Sequence, residues 1–265
     1  MDSLSKELNA LLARPEPRLD ELMATIAQLS AQPPTLGEVT DQLDLLADLL
    51  VSRTPAREPV SPDQLLTFLH GTIGFQGDTE RYHRPANSFV HRVLERRKGI
   101  PLTLAAIDVE VARRVDLELS IVGMPGHVLV GNKANPDRWF DPFSGGIALD
   151  VDDCVELFAR LNPTGEFDRS MLASMPPIKF CRRMLANLRM AYLGRGDLNQ
   201  LINILTLSAN LDQSPATIRL ELAQFLAAAG RSEQAANEYD HLAKLDPSNQ
   251  STYRLSATRL RTHRN

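Results

Sequence analysis

An α+β fold is predicted for this chain of 265 residues. Helices and a small antiparallel sheet form a central domain (76–175), between an N-terminal helical region (1–75) and a C-terminal helical repeat array (176–265). Three observations carry that reading. Leucines recur at helical spacing through the first fifty or so residues. Between Leu119 and Phe140 the pattern changes to short runs rich in β-branched and aromatic residues. Beyond Pro177 the chain matches itself at an offset of 34 residues.

The N-terminal region holds three apolar stripes: Leu4, Leu8, Leu11 and Leu12; Leu19, Leu22, Ile26 and Leu29; Val39, Leu43, Leu46 and Leu50. Pro15 and Pro17, then Pro33-Pro34, separate them, because proline ends a helix and forces its predecessor out of the α region. Arg53 to Val60, with Pro55 and Pro59, reads as a loop. Ser61-Pro62-Asp63-Gln64 is a helix start, with a capping box and a proline at the first helical position. Gly71, Gly74 and Gly77 end that helix. Asn87 or Ser88 caps the next one, and Gly99 takes the left-handed conformation after it. Pro101 opens a further helix whose buried face is Leu104, Ile107, Val111 and Val115.

Leu119–Val122, Val128–Val130 and Trp139–Phe140 then read as strands, with Asn132–Asp137 turning between the last two. Asp150 caps a helix through Val155 and Phe158. The irregular stretch from Asn162 to Pro177 marks a domain boundary. In the repeat array Gly196 and Gly230 lie 34 residues apart, and the same offset pairs Leu188 with Leu222, Leu201 with Ala235, Leu205 with Tyr239 and Asp212 with Asp246. That is the tetratricopeptide period, each unit a helix pair with a glycine in its turn, followed by a capping helix at 251–261.

The bulk numbers narrow the function. With 29 basic and 33 acidic residues the formal charge is −4, so no nucleic-acid partner is indicated. The Arg96–Lys98, Arg182-Arg183 and Arg254–Arg264 clusters read as helix-end or solvated charges. Cys154 and Cys181 are too few for a disulfide framework or a zinc site. Neither a signal peptide nor a membrane-spanning run is readable, which leaves a cytoplasmic protein with no membrane partner as the expectation. The spacings of His70, His83, His91 and His127 fit no metal motif, and no cofactor is implied.

The chemistry-bearing residues fall between Asn87 and Gly146. Symmetric pairing of the two strands about the Asn132–Asp137 turn sets His127 opposite Asp141, on one face of the sheet. A carboxylate there fixes the imidazole tautomer, as the second and third members of a catalytic triad require. A nucleophile at the start of the helix that opens at Pro101 completes such a site, since the helix dipole favours a thiolate. Asn87, Ser88, Gly126 and Trp139 are the candidate binding residues around it.

At this point the chain resembles the bacterial SirB-type proteins, which join a transglutaminase-like domain to tetratricopeptide repeats. The shared wording is Gly74-Phe75, Y-x-x-P-x-N-S over Tyr82–Ser88, V-L-E-R-R-K-G-I-P-L-T-L, P-G-H, and D-P-F-S-G-G, in that order and ahead of the repeat. The resemblance implies a papain/transglutaminase-like domain whose active members open the helix with G-x-C, before a strand histidine and a strand aspartate. Gly99, His127 and Asp141 then match, and the cysteine position falls on Pro101. A vestigial triad is implied, and with it the loss of thiol acyl transfer.

Other nucleophiles fit less well. Thr103 lies two residues along the same helix and reads as a hydroxyl bonding backbone. Ser88 reads as a cap, Trp139 as core, and Gly126, Gly145 and Gly146 as turn glycines with positive φ. Cys154, near a helix start, is a candidate for a lowered pKa but also reads as a small apolar residue, as does Cys181. Two functions follow. One is a non-catalytic interaction or regulatory protein that binds a protein or peptide through its repeats. The other is an amidase, peptidase or transamidase using the His127–Asp141 pair with Thr103, Cys154 or an activated water.

Overall fold

The computed structural model describes residues 1–55, 58–212 and 214–262. Residues 56–57 of the expected Arg53–Val60 loop, and the end of the Arg254–Arg264 cluster, lie outside them. The chain forms two compact units, one of Arg14–Met184 and one of Met1–Ala13 with Leu185–Asn265. Helix α1 (Asp2–Leu12) belongs to the second.

The larger unit is built around one buried helix. Its helices are α2 (Leu19–Ala27), α3 (Leu36–Val51), α4 (Pro62–Leu66), α5 (Val90–Arg96), α6 (Pro101–Arg114) and α7 (Val151–Leu161). Helix α6 carries buried residues on every side, from Pro101 and Leu102 to Val111 and Ala112. Of the stripe expected from its sequence, Leu104, Ile107 and Val111 are buried but form only part of its buried surface, while Val115 lies past the helix end and is half-buried. A helix buried on every side belongs in a core, and α6 touches α2, α3, α4 and α5 as well as strands of both sheets. The stripes of α2 and α3 are buried against this core through Leu22 and Ile26, and through Val39, Leu43 and Leu50.

The helix starts follow local chemistry. Thr35 with Glu38, Ser61 with Gln64, and Asp150 with Asp153 form reciprocal capping boxes at α3, α4 and α7. Helix α2 has no side-chain cap of its own. Glu110 of α6 supplies one from across the core, accepting from the Leu19 amide at 2.9 Å. The same carboxylate and the buried Asp20 share Arg114, each 2.7 Å from it, so a charge network locks α2 to α6. Helix α4 continues into a π-helical stretch, Thr67–Ile73, which Gly74 ends at φ +88°.

Two expectations about α5 are corrected. Its N-cap position is Phe89, with no side-chain cap, while Asn87 and Ser88 close a 3-10 turn over Pro85–Asn87 and are buried. At the other end Arg97, not Gly99, takes the left-handed conformation, at φ +58°. Gly99 instead pairs with Gly77 in a short parallel ladder of β1 (Gln76–Gly77) and β2 (Lys98–Gly99). A Cβ at Gly99 would sit 3.0 Å from Val93 and 3.2 Å from Leu104, so that glycine serves close packing of α5 on α6.

Strands β3 (Leu119–Val122), β4 (Leu129–Asn132), β5 (Trp139–Asp141) and β6 (Ile147–Leu149) form an antiparallel meander in chain order. The last strand has no counterpart in the sequence reading. Val130 pairs with Phe140 and Gly131 with Trp139. This is two residues off the register that sets His127 opposite Asp141: His127 precedes β4 and belongs to the turn closed by its own amide on Met124 O. Trp139, Val122, Met124, Leu129, Cys154 and Phe158 form a common core between this sheet and α7.

In the smaller unit, α9 (Leu198–Ala209), α10 (Ala216–Ala228), α11 (Ser232–Leu245) and α12 (Gln250–Thr262) run as successive helices after α8 (Pro177–Leu193), which begins in the larger unit. Gly196 and Gly230 turn the chain between helices at φ +69° and +73°. Leu201, Ile202, Leu205, Leu222, Leu226 and Ala235 form the core. Asn9 of α1 donates to Asn210 O at 2.8 Å, past the end of α9.

Candidate functional site

The loop after β5 folds around its own aspartate. Asp141 Oδ1 accepts from the amides of Phe143 (2.9 Å) and Ser144 (3.2 Å), and Oδ2 from the Ser144 hydroxyl (2.7 Å). The Gly146 amide returns to Asp141 O at 2.7 Å, and Gly145 and Gly146 supply the positive φ values that the return needs. This gathers the donors of D-P-F-S-G-G on one carboxylate.

His127 reaches the same carboxylate from the other side, its Nε2 lying 2.9 Å from Oδ1. Gly126 at φ +83° presents the histidine. Burial pushes the Asp141 carboxyl up, but the His127 bond and charge and the Ser144 donors outweigh it and hold the group below its ordinary value. An ionised carboxylate only accepts, so His127 donates its Nε2–H, and in the neutral ring Nδ1 is the basic nitrogen. Among the described residues no side chain occupies Nδ1.

Around the pair stand aromatic and basic groups, among them Arg183, expected from the sequence to be a helix-end or solvated charge but half-buried within α8. Phe143 meets the His127 ring edge-on at 6.3 Å, and Tyr82 meets Phe143 at 5.9 Å. Gly77 lies against the Phe143 ring, where a Cβ would come within 2.4 Å of two ring carbons. Arg183 of α8 donates to His127 O at 2.9 Å.

Asn87 organises the loop that delivers Tyr82. Its amide donates to Arg81 O (2.8 Å) and Tyr82 O (3.3 Å), and its carbonyl accepts from Arg96 (2.9 Å), which also bonds Asp78 (3.2 Å). The side chain is thus committed within the fold. Ser88 is buried and Trp139 is in the core. Of the candidate binding residues, Gly126 lies beside the pair and the other three act behind it.

The possible nucleophiles are placed as follows. Pro101 is the buried first residue of α6 and offers no acidic proton. Thr103 is fully buried and bonds the sulfur of Met184 at 3.8 Å, not the backbone as expected. Burial first, then Asp153, Asp150 and Asp141, push the Cys154 thiol up to about 12, which reverses the lowering expected from its helix position. Burial also raises Cys181 to about 12.

A second histidine–aspartate pair lies beneath the loop. His70 Nε2 is 3.0 Å from Asp108 Oδ2, and both side chains are sealed from solvent. His70 Nδ1 is 2.9 Å from Phe75 O, an obligate acceptor. Burial lowers the His70 pKa, but the Asp108 charge and bond, the Phe75 carbonyl and the Asp141 charge together raise it above its ordinary value. A Cβ on Gly146 would come within 2.7 Å of the His70 ring, so the Asp141 loop rests directly on this imidazole. One signal was available: Asp108 interrupts an apolar helical run, and a carboxylate there needs a partner.

Residues 37–186, more than half of the chain, match the family model described as "Transglutaminase-like superfamily". A UPF0162 protein of Xylella fastidiosa is 37% identical over 131 residues, 47% of this chain and 46% of that one. The chain thus spans about half the length of that relative. UPF0162 protein PA3419 of Pseudomonas aeruginosa is 28% identical over 200 residues, covering 68% and 73% of the two chains. Human F-box only protein 21 is 29% identical over 97 residues, 37% of this chain and 14% of that protein. A crystal structure of menin aligns with 98% of this chain and 68% of its own at 12% identity, with a TM-score of 0.40, too slight a likeness to carry an argument. By the family match over 37–186, this chain belongs to the transglutaminase-like superfamily.

Proposed function

We propose that this protein is a non-catalytic, SirB-type member of the superfamily that works in the cytoplasm by binding protein partners, its C-terminal helices serving as tetratricopeptide-like repeats. One observation carries the first half. The helix start that should hold a nucleophile opens on Pro101, and both thiols are buried with pKa values near 12, where thiolate is negligible at neutral pH. The His127–Asp141 pair has a structural role that persists without chemistry, because the loop is folded on the carboxylate.

Support for the second half comes from the smaller unit. The helices around Gly196 and Gly230 repeat with the 34-residue offset of the sequence. A concavity of about 330 Å³ lies along α9, α10 and α11, lined by Asn203, Asn210, Asn237, Gln234 and His241 among others. Side-chain amides there suit the carbonyls and amides of an extended peptide.

Peptide selection on the full-length protein tests the reading. Peptides should be captured, lost in an Asn203→Ala/Asn237→Ala variant and retained in His127→Ala. Turnover of a glutaminyl, amide or ester substrate that disappears in His127→Ala would overturn it, in favour of an amidase, peptidase or transamidase using an atypical nucleophile.

A further inference from the structure

Among the described residues, the guanidinium beside the His127–Asp141 pair is unusual in having no acid. Buried or half-buried arginines are ordinarily paired, because a cation withdrawn from water needs a compensating charge. Arg96 has Asp78, Arg114 has Asp20 and Glu110, and Arg138 has Asp63. Arg183 is half-buried, yet among the described residues its one hydrogen bond runs from Nη2 to His127 O, 2.9 Å away. Burial pulls its pKa below the ordinary arginine value, and no carboxylate is set against that effect. A guanidinium has five N–H donors and stays charged at any working pH. Four of the five have no acceptor among the described residues.

Gly123 lets the guanidinium and Met175 pack close against the backbone: a Cβ there would lie 3.2 Å from Nη1 and 2.3 Å from the Met175 methyl. Tyr82, itself 38% exposed, stands within the electrostatic reach of Arg183. Its hydroxyl has no hydrogen-bond partner among the described residues, and burial holds the phenol protonated, as a donor. The rings of Tyr82 and Phe143 form an apolar wall continuing to His127. Unspent donors of one positive charge, a phenol and an aromatic wall together describe the complement of an anion on an apolar group.

We propose that Arg183 and Tyr82 form a subsite for a single carboxylate on an aromatic or other apolar ligand, placed next to His127. A monoanion fits better than a phosphate dianion, because the ionised Asp141 stands just behind His127. Two sources present this chemistry, a small organic acid and the C-terminal carboxylate of a peptide. The subsite lies wholly in the Arg14–Met184 unit and does not depend on peptide binding by the repeats.

Isothermal titration of the full-length protein with four probes decides the matter: N-acetylphenylalanine, its C-terminal amide, a phenylalanine-ended pentapeptide with a free carboxylate, and inorganic phosphate. The free carboxylates should bind at least tenfold more tightly than the amide or phosphate. A pentapeptide tighter than the small acid assigns the site to chain termini, and equal affinities assign it to small acids. Arg183→Met should weaken the carboxylates at least tenfold, with Arg183→Lys intermediate and Tyr82→Phe down severalfold, while unchanged Trp139 fluorescence reports an intact fold. No carboxylate binding, an amide or phosphate that binds equally well, or wild-type affinity in folded Arg183→Met overturns the proposal. The amide comparison and Tyr82→Phe remain decisive even if Arg183→Met does not fold.

Discussion

Replacing Asp108 separates the two things it does for His70: it pairs a charge and it accepts a hydrogen bond. Both side chains are sealed, at 0% and 1% exposure, so no water replaces what is removed. Asp108→Ala strands the His70 Nε2 and breaks a buried pair, at a cost of about 3–5 kcal/mol. Asp108→Asn is nearly isosteric. A neutral His70 keeps its proton on Nδ1 for Phe75 O, and Nε2 then accepts from the asparagine amide. Only the difference between a charge-assisted and a neutral bond is lost, about 1–2 kcal/mol. The pH dependence has a definite sign. The folded pKa of His70 is raised, so its contribution is fully present below the ordinary value of 6.5 and lost as pH rises through the folded pKa. Urea unfolding followed by Trp139, the single tryptophan and a core residue of the same unit, measures all of this. Wild type should lose stability as pH rises from 6.5, and Asp108→Asn should lack that slope. A cost below about 1 kcal/mol for alanine, equal costs for the two variants, or an unchanged slope in asparagine would refute the reasoning.

Two further outcomes are expected. At pH 8 a thiol with a pKa of about 12 is roughly one part in 10,000 thiolate, so neither Cys154 nor Cys181 should react with iodoacetamide until the protein is unfolded, when two equivalents are taken up; native labelling at the rate of a free thiol contradicts this. Gly77→Ala should cost about 1–3 kcal/mol, since its methyl must displace the Phe143 ring. In a Phe143→Ala background the same change should cost almost nothing, and additive losses would show that the contact is not the cause.

What could be read from the sequence was what is decided locally. Ser61, Asp150 and Pro101 announce helix starts because caps and proline act within one turn, and β3 to β5 announce themselves by β-branched and aromatic composition. What stayed hidden depends on distant neighbours. His127 belongs to a turn, not a strand, so symmetric pairing about Asn132–Asp137 put it opposite Asp141 for the wrong reason; a bend of the chain, not a ladder, brings them together. Gly99 looked like a helix stop because glycine usually is one, yet its neighbours Val93 and Leu104 exclude a side chain, and Arg97 takes the left-handed position. Strand β6 is three residues long and mostly exposed, and so short an apolar run, Ile147 to Leu149, does not by itself announce a strand. The His70–Asp108 pair joins residues 38 apart, and no local rule connects them.

The loop built on Asp141 makes the parts of such a site unequal in how readily they can be given up. A residue at the first position of a helix can become proline at little structural cost, and proline even suits the place. An aspartate that ends a strand, collects two amides and a hydroxyl, and orients a histidine cannot be exchanged without unravelling the chain that follows it. A lineage abandoning turnover would therefore shed its nucleophile first and keep its histidine and aspartate long afterwards. On the proposed non-catalytic reading, the survival of that pair is a record of architecture, and the residue at the helix start is the one that speaks to chemistry.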